Sequence, residues 1–304
     1  MSAAPDLDPG FLARLSASPA GRFATLLLRW GIPLALLVII GRRLTELGWA
    51  GIWRARPVNA GFYVLLVAQF FLQPFGDYCV YRSLWRDQMP PLAVILRKRL
   101  MNTFMLDYSG EAYFFLWAQR NVRLPTARIA HAIKDSNLLS GGAGLAMVFI
   151  LAAILLAFGG LHLPVLPGSK WLYVLIGTVP LVLCAVLIVA HRKVTVLDRR
   201  ELATIFAIHF TRACLVLAIE FGLWQLSGAL PGWIASLQFV TLRLVITRLP
   251  VVPNKDLIFV GAGLAAAGAA HAALTPVATV LVILAAADLI LAATVAGLTA
   301  LWRA

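Results

Sequence analysis

The chain has 304 residues, of which 61% are hydrophobic and 13% charged, and its formal net charge is +13. This composition excludes an ordinary soluble domain and is typical of a protein that resides in a bilayer. With about 20 residues for each membrane span and short connections, the length admits about eight spans and no separate soluble domain. The sequence therefore predicts an all-α polytopic membrane protein that forms one integral membrane domain, residues 1–304.

The basic character of the chain favours membrane lipids as partners and not nucleic acid. A pI near 10.5 also occurs in nucleic-acid-binding proteins, but the sequence offers no soluble basic surface and no recognition module. Its arginines instead flank apolar runs, as the positive-inside rule and contact with anionic head groups require. The cysteines are odd in number and lie inside apolar runs, so we interpret them as buried small hydrophobic residues. They are Cys79, Cys184 and Cys214.

In chain order, a polar segment, residues 1–22, precedes an apolar run that we interpret as a retained span, because no small-residue cleavage site follows it. If the third run enters and leaves on one side, the Arg-rich connections share the N-terminal side, which places both termini in the cytoplasm. Those connections are 81–99, 119–136 and 191–202. The apolar runs are Thr25–Ile40, Ala60–Val80, Leu100–Ala118, Leu138–Phe158, Trp171–Ala190, Ala203–Leu226, Trp233–Leu249, Leu257–Ala273 and Pro276–Leu301.

One connection does not obey this arrangement. Residues 42–56 carry four arginines together with Trp49 and Trp53, yet they fall on the outer side. One interpretation is an interfacial amphipathic segment, because tryptophan and arginine both favour the head-group layer. The alternative is that the first span lies elsewhere, and the sequence leaves both open.

Two turn-forming clusters interrupt the apolar sequence, and each ends in a carboxylate. The first is the break at 107–111, which ends at Glu111, and the second is the break at 250–256, which ends at Asp256. In hydrocarbon a broken helix survives only where protein or a water-filled cavity surrounds it. Two breaks at corresponding points of two halves are typical of transporters built from repeats, whose substrate site lies where the breaks meet. We therefore predict two related halves, 23–136 and 137–304, each with a broken or re-entrant helix.

Polar side chains inside the predicted spans extend this hypothesis. Gln69, Gln73 and Asp77 recur at i, i+4 and i+8 and share one helix face, either as the wall of a polar groove or as hydrogen-bonding contacts between helices. Asp288, alone in the last run, needs a partner on another helix. The small residues at 140–144 predict close helix packing and not a phosphate loop, because no Lys-Ser/Thr pair follows them.

Arginines inside the predicted spans can form ion pairs, extend to the interface or bind a phosphate. Arg212 cannot remain unpaired at this depth, so it forms an ion pair with Glu220 or Glu111, or it binds a lipid phosphate. Arg248 lies near the end of its run and can extend to the interface. Arg243, five residues deeper, is the better candidate for a phosphate ligand.

The sequence around both breaks resembles a known family. Asn102 to Asp107, Tyr108-Ser109-Gly110-Glu111 and the helix that follows resemble the conserved elements of the flippase-like, lysylphosphatidylglycerol synthase transmembrane family, and residues 250–268 are similar to its second acidic element. The resemblance implies a multi-pass protein of the inner (cytoplasmic) membrane that moves or handles a lipid made by a separate lipid-synthesising enzyme.

The predicted function is translocation or handling of an anionic or aminoacylated phospholipid, or another amphiphile, through a polar cavity between broken helices. A membrane-embedded lipid-modifying enzyme and a non-catalytic partner of a lipid-synthesis complex remain alternatives. The sequence predicts no catalytic set, metal site or cofactor, and its small-residue faces make a homodimer feasible. The predicted substrate-binding residues are Asn102, Asp107, Ser109, Gly110, Glu111, Arg120, Arg212, Glu220, Arg243, Asn254 and Asp256.

Overall fold

The computed structural model describes residues 32–104, 108–159, 195–248 and 255–301, and the regular secondary structure in these ranges is helical. Asp107, Asn254, Cys184 and the run Trp171–Ala190 therefore lie outside the described residues. The helices are α1 (Ile32–Leu47), α2 (Trp49–Arg54), α3 (Ala60–Trp85), α4 (Leu92–Phe104), α5 (Ser109–Asn121), α6 (Thr126–Ala157), α7 (Arg199–Ser227), α8 (Gly232–Arg248), α9 (Lys255–Ala269) and α10 (Leu274–Leu301), and a short 3-10 helix covers Arg86–Gln88.

Four of the described helices, α3, α6, α7 and α10, are long and apolar enough to cross a membrane. The described residues confirm the all-α prediction and are compatible with a membrane protein, whereas the number of eight spans stays a prediction. Local sequence explains where two of the four begin. The side chain of Asn59 accepts a hydrogen bond from the N–H of Gly61 at 2.8 Å at the start of α3. Asp198 and Glu201 form a reciprocal capping box at the start of α7, which satisfies two backbone donors.

Several helices extend beyond the apolar runs that predicted them. Helix α1 continues past Ile40 to Leu47, and α3 continues to Trp85. The connection predicted at 119–136 is wrong, because α6 begins at Thr126 and only residues 122–125 join it to α5. The polar residues at the start of α6 are accommodated by partners on other segments, such as Glu201 for Arg128. Hydropathy therefore detected the apolar part of each helix and missed its polar end.

Contacts between helix ends define two ends of the bundle. At the lower end, the backbone N–H of Arg123 donates to the side chain of Gln88, and Arg128 pairs with Glu201. At the upper end, the hydroxyl of Thr279 donates to the carbonyl of Ile52 in α2 at 3.1 Å. Helix α3 therefore runs from the upper to the lower end, and α7 runs in the opposite direction.

The short helices form two hairpins that enter the bundle from opposite ends. Helices α4 and α5 pack together, and the Gln88 to Arg123 contact places both bases of this first hairpin at the lower end. Helices α8 and α9 form the second hairpin. Its base lies at the upper end, where Trp233 contacts Phe158 with ring centroids 5.1 Å apart. At 1.5 Å per residue the 13 residues of α4 span about 20 Å, less than the roughly 30 Å hydrocarbon core.

The same order of helix lengths occurs twice. A long helix, two short helices and a long helix have 26, 13, 13 and 32 residues in the stretch 60–157. The stretch 199–301 has 29, 17, 15 and 28. The two series run in opposite directions, and the boundary predicted at 136/137 falls inside α6. A relation between the stretches as repeats stays a prediction.

The apolar core is divided among separate clusters. One large cluster fills the upper part of the bundle around Phe239 and Leu281. A second fills the lower part, where Trp85 stacks on Phe114 with ring centroids 5.4 Å apart. A small third cluster joins α3, α4 and α10 through Phe70. The charged side chains described below lie where these clusters meet.

Candidate functional site

Side chains around the first predicted break join the two helices of the first hairpin. The side-chain carbonyl of Asn102 accepts a hydrogen bond from the backbone N–H of Gly110 at 2.7 Å, and its amide donates to Glu111 at 3.0 Å. The hydroxyl of Ser109 donates to the carbonyl of Met101 at 2.8 Å. These contacts bind the end of α4 to the beginning of α5.

Gly110 is required for the close packing of α4 and α5. Gly110 lies inside the first turn of α5, and the residue with a left-handed backbone is Tyr108, at φ 70°. A Cβ on Gly110 would lie 2.0 Å from the carbonyl oxygen of Lys98. Gly110 therefore allows the two helices of the hairpin to approach closely and does not itself break the helix.

Glu111 belongs to a network of buried charges that links four helices, α3, α4, α5 and α7. Lys98 Nζ lies 2.7 Å from an oxygen of Asp77 in α3 and 3.4 Å from an oxygen of Glu111. The other oxygen of Asp77 lies 3.1 Å from Arg212 in α7. Only 5% of Lys98 and 8% of Asp77 are exposed. One carboxylate thus neutralises two cations at a depth where an unpaired charge would be strongly unfavourable.

Arg212 does not form either of the ion pairs that the sequence suggested. Besides Asp77, it donates to the hydroxyl of Ser140 in α6 at 2.7 Å. Its aliphatic part crosses Gly76, where a Cβ would lie 2.5 Å from Cδ of Arg212. The pairs with Glu220 and Glu111 are wrong because α7 turns this face toward the glycine-lined surface of α3 and not toward the tip of the first hairpin.

Arg248 also lies inside the bundle, so its predicted extension to the interface is wrong. Its guanidinium covers Gly144 of α6, where a Cβ would lie 2.0 Å from the side chain. One nitrogen donates to the carbonyl of Ser140 at 3.4 Å. Gly144 therefore makes room for an arginine side chain and not for a neighbouring helix. Ser140 contacts both Arg212 and Arg248, so it connects the charge network of the first hairpin to the last residue of α8.

The second hairpin contributes its own carboxylate and cation. Arg243 of α8 lies 3.4 Å from Glu220 in α7 and 3.5 Å from Asp256 in the first turn of α9. Glu220 also accepts a hydrogen bond from Gln69 at 2.7 Å. The contact of Arg243 Nη1 with Glu220 lacks hydrogen-bond geometry, and this buried nitrogen has no hydrogen-bond partner among the described residues. An unmade hydrogen bond of this kind costs about 1–3 kcal/mol.

A third pairing connects the first hairpin to α10. Arg99 Nη2 lies 2.7 Å from Asp288, and Nη1 donates to Gln73 at 3.0 Å. The guanidinium carbon lies 4.3 Å from the ring centroid of Phe70. Asp288 therefore has the partner on another helix that the sequence required. Gln69, Gln73 and Asp77 do bond to other helices, as one of the two interpretations proposed.

A cavity of about 150 Å³ lies between these pairings. Its wall comes from α3, α7 and α10 and from one helix of each hairpin. Arg99 belongs to the first hairpin and Arg243 to the second. Gln69 and Gln73 also line the cavity, as expected if this face of α3 is the wall of a polar groove. The lining residues are Leu66, Gln69, Phe70, Gln73, Arg99, Val216, Arg243, Leu284, Asp288 and Leu291.

The structure groups most of the predicted substrate-binding residues and separates one of them. Asn102, Ser109, Gly110, Glu111 and Arg212 lie in or beside the network of the first hairpin. The other group is Glu220, Arg243 and Asp256. Arg120 is exposed in the last turn of α5, at the opposite end of that helix from Glu111.

Lys98 and Arg99 are the residues that sequence reasoning missed. Basic clusters beside apolar runs usually mark the head-group layer, so both were assigned to the membrane surface. The available signal was the set of carboxylates inside apolar runs, Asp77, Glu111 and Asp288, because each needs a cation nearby. Lys98 and Arg99 precede the first break, but Arg82 and Arg120 lie nearer to Asp77 and Glu111 along the chain, so the sequence did not show which cations would form the pairs.

Other polar groups lie outside these networks. Ser136 Oγ lies 3.0 Å from Nε2 of His209, and both side chains are almost completely buried. Cys214 is exposed and Cys79 is partly buried, so the prediction of a buried cysteine is wrong at Cys214. Cys214 lies on the apolar helix α7, where a small residue is equally compatible with lipid.

The arrangement can hold a polar or charged group between the two hairpins through hydrogen bonds and charge. Among the described residues no group of three or more His, Cys, Asp or Glu side chains is placed to hold a metal ion. Comparison of the chain with models of known protein families, with curated proteins and with solved structures gives no match.

Proposed function

We propose that the protein moves or handles a lipid across the inner (cytoplasmic) membrane. The polar head group enters the cavity between the two hairpins, while the acyl chains remain in the bilayer. The lower end of the bundle faces the cytoplasm, because exposed arginines concentrate there and the positive-inside rule orients them. They are Arg82, Arg86, Arg120, Arg123, Arg199 and Arg200. The amphiphile comes from a separate enzyme, and the protein works alone or as a homodimer.

The observation that carries the proposal is the cavity whose wall includes an arginine from each hairpin, Arg99 and Arg243. Charged groups inside a membrane protein are unfavourable and usually mark a substrate or ion pathway. Here they meet where two short hairpins end, between apolar clusters above and below. Helices interrupted at mid-depth are tolerated where they line a cavity, and one helix of each hairpin lines this cavity.

The order of the helices supports a transporter. Substrate sites of many secondary transporters lie near the midplane, between segments of opposite orientation that contain interrupted helices. The stretches 60–157 and 199–301 have this form, with α4–α5 and α8–α9 as the interrupted segments. The resemblance to the flippase-like, lysylphosphatidylglycerol synthase transmembrane family rests on the residues around the same two breaks and implies the same class of function.

Leaflet exchange of labelled lipid in liposomes tests the proposal. We expect liposomes that contain the wild-type protein to exchange labelled phospholipid faster than empty liposomes. Glu111→Gln should reduce the added rate about tenfold or more, because it removes a charge that Lys98 requires at 3.4 Å while its side-chain carbonyl preserves the Asn102 contact. A tenfold change corresponds to about 1.4 kcal/mol, less than the about 3–5 kcal/mol that removal of one partner from a buried ion pair costs.

Glu201→Gln is the matched control for Glu111→Gln. It also neutralises a glutamate in the first turn of a helix, but at the lower end and away from the cavity, and glutamine preserves the capping box with Asp198. We expect it to retain the wild-type rate. Exchange equal to that of empty liposomes for the wild-type protein would refute lipid translocation.

A lipid-modifying enzyme remains the second candidate, and the contact between Ser136 and His209 is the observation in its favour. Serine activated by histidine is a common nucleophile. Both side chains are enclosed by the helices around them, with 3% and 2% exposed, and Nδ1 of His209 has no hydrogen-bond partner among the described residues. We therefore expect Ser136→Ala to retain leaflet exchange. New lipid species formed by the wild-type protein but not by Ser136→Ala, detected by mass spectrometry, would favour the enzyme instead.

A further inference from the structure

We infer that Arg99 and Arg243 together form a subsite for a phosphate ester of the bound lipid, so that one guanidinium from each hairpin holds the same group. The inference rests on the proposed function, because it names the part of the head group that the cavity binds. It adds Arg99, which lies outside the set of residues that the sequence singled out. It also excludes amphiphiles that carry no phosphate.

Arg99 is fixed in its orientation before any ligand binds. Asp288 and Gln73 hold its two terminal nitrogens at 2.7 and 3.0 Å, and the ring of Phe70 lies against the guanidinium plane. Its remaining donor, Nε, is buried and has no hydrogen-bond partner among the described residues. A guanidinium is always charged and offers five N–H donors in a planar fork that matches phosphate oxygens. Arg99 lines the cavity, so an acceptor bound there would meet a guanidinium that still has unused N–H donors.

Arg243 is held loosely by comparison. Its contacts with Glu220 and Asp256 are 3.4 and 3.5 Å long, and Nη1 makes no hydrogen bond. Charge-assisted bonds are normally about 2.7–2.9 Å long, as between Arg99 and Asp288. Arg243 can therefore turn toward a ligand without breaking a tight bond. The ring of Phe259, 5.4 Å away, keeps the side chain beside the cavity.

The size and chemistry of the cavity select a phosphate ester. A volume of about 150 Å³ is far below the roughly 300–1,000 Å³ of sites that enclose whole small molecules, so it holds a fragment of a head group and not a lipid. Phosphate oxygens only accept hydrogen bonds, and they can bridge two guanidiniums. The wall carries two arginines and one carboxylate, Asp288, which is already bound to Arg99. Its net charge therefore favours an anion, whereas a neutral sugar would leave that charge uncompensated and an ammonium would add to it. Gln69 and Gln73 supply amides for the neighbouring hydroxyl or ester oxygens.

Selectivity of the wild-type protein tests this inference first. Purified protein in detergent is equilibrated with an equimolar mixture of phosphatidic acid, phosphatidylglycerol, diacylglycerol and a diacylglycerol-linked sugar, and retained lipid is quantified by native mass spectrometry. We expect the two phosphate-bearing lipids to be retained at least tenfold over the other two. Equal retention of all four would overturn the phosphate subsite.

Variants then assign the selectivity to the two arginines. Arg99→Gln and Arg243→Gln should each lower the retention ratio at least fivefold, and Arg243→Lys should keep part of it. Arg97→Gln is the matched control, because Arg97 lies on α4 beside Arg99 but donates to the carbonyl of Thr299 and does not line the cavity. A ratio unchanged in both Arg99→Gln and Arg243→Gln would overturn the assignment. The wild-type selectivity decides the question even if these variants do not fold.

The retention assay and the leaflet-exchange assay test the phosphate subsite and lipid translocation separately. Selective retention of phosphate-bearing lipid without exchange in liposomes would support the subsite and refute translocation. Exchange of phosphate-bearing and phosphate-free amphiphiles at equal rates would support translocation and refute the subsite. Inorganic phosphate is included as a competitor in the retention assay. Binding of radiolabelled inorganic phosphate together with a total lack of lipid selectivity would assign the arginines to a free anion and overturn the lipid inference.

Discussion

Replacement of Asp77 by alanine is expected to destabilise the folded protein by about 3–5 kcal/mol, the usual result of removing one partner from a buried ion pair. Asp77 is the common counter-ion of Lys98 and Arg212, at 2.7 and 3.1 Å. Without it, two cations from different helices remain buried, and only Lys98 keeps another carboxylate, Glu111 at 3.4 Å. Thermal unfolding of the purified protein in detergent should show a large fall in midpoint and a reduced folded yield.

Asp256→Ala is the control for Asp77→Ala. Asp256 also pairs with an arginine, but the contact is 3.5 Å long and 52% of the side chain is exposed. Exposed pairs contribute about 0–1 kcal/mol, so this variant should unfold close to the wild-type temperature. Equal losses in the two variants would show that the shared carboxylate is not the structural centre of the charge network.

The sequence predicted an interruption between α4 and α5 because it is a local feature, whereas residues 250–254 of the second predicted break lie outside the described residues. A cluster of turn-forming residues inside an apolar run is visible without knowledge of neighbouring helices, and α4 ends at Phe104 while α5 begins at Ser109. The need of Asp288 for a partner was visible for the same reason. Its identity as Arg99, 189 residues away in the chain, was not, because no local pattern specifies which helices become neighbours.

The predicted positions of two arginines were wrong because glycines in the neighbouring helices determined which groups these side chains reach. Arg212 was assigned to Glu220 or Glu111 from spacing along the chain, but Gly76 lets the arginine cross α3 to reach Asp77. Gly144 has the same effect on Arg248. A glycine inside an apolar helix reads as a helix-packing residue from sequence alone, and only the neighbouring side chain shows that it accommodates an arginine.

The surface assignment of Lys98 and Arg99 failed for an energetic reason. Arginine and lysine beside an apolar run normally extend to the head-group layer. Here the short helix α4 carries them into the bundle, where Asp77 and Asp288 offset the cost of their burial. Buried carboxylates and buried cations explain each other, so neither set could be placed correctly without the other.

Gly110→Ala is expected to disrupt the first hairpin and to abolish most of the leaflet exchange. The added Cβ would lie 2.0 Å from the carbonyl oxygen of Lys98 and 2.7 Å from the side-chain oxygen of Asn102. The first of these atoms belongs to the backbone of α4, so the clash is relieved only if α4 and α5 separate. Overpacking of this kind costs about 1–3 kcal/mol or more, and it removes the hydrogen bond between Gly110 and Asn102.

Hydrogen–deuterium exchange of the hairpin, followed by mass spectrometry, distinguishes local opening from general unfolding in Gly110→Ala. Peptides that cover residues 98–111 should lose protection, while α7 should keep it. Gly141→Ala is the matched control, because a Cβ there meets nothing within 4 Å, and alanine is the better helix former by about 1 kcal/mol. If Gly110→Ala kept wild-type protection and wild-type leaflet exchange, the close approach of the two helices would not be required, and a rigid tip carrying Glu111 could not be the basis of the head-group site.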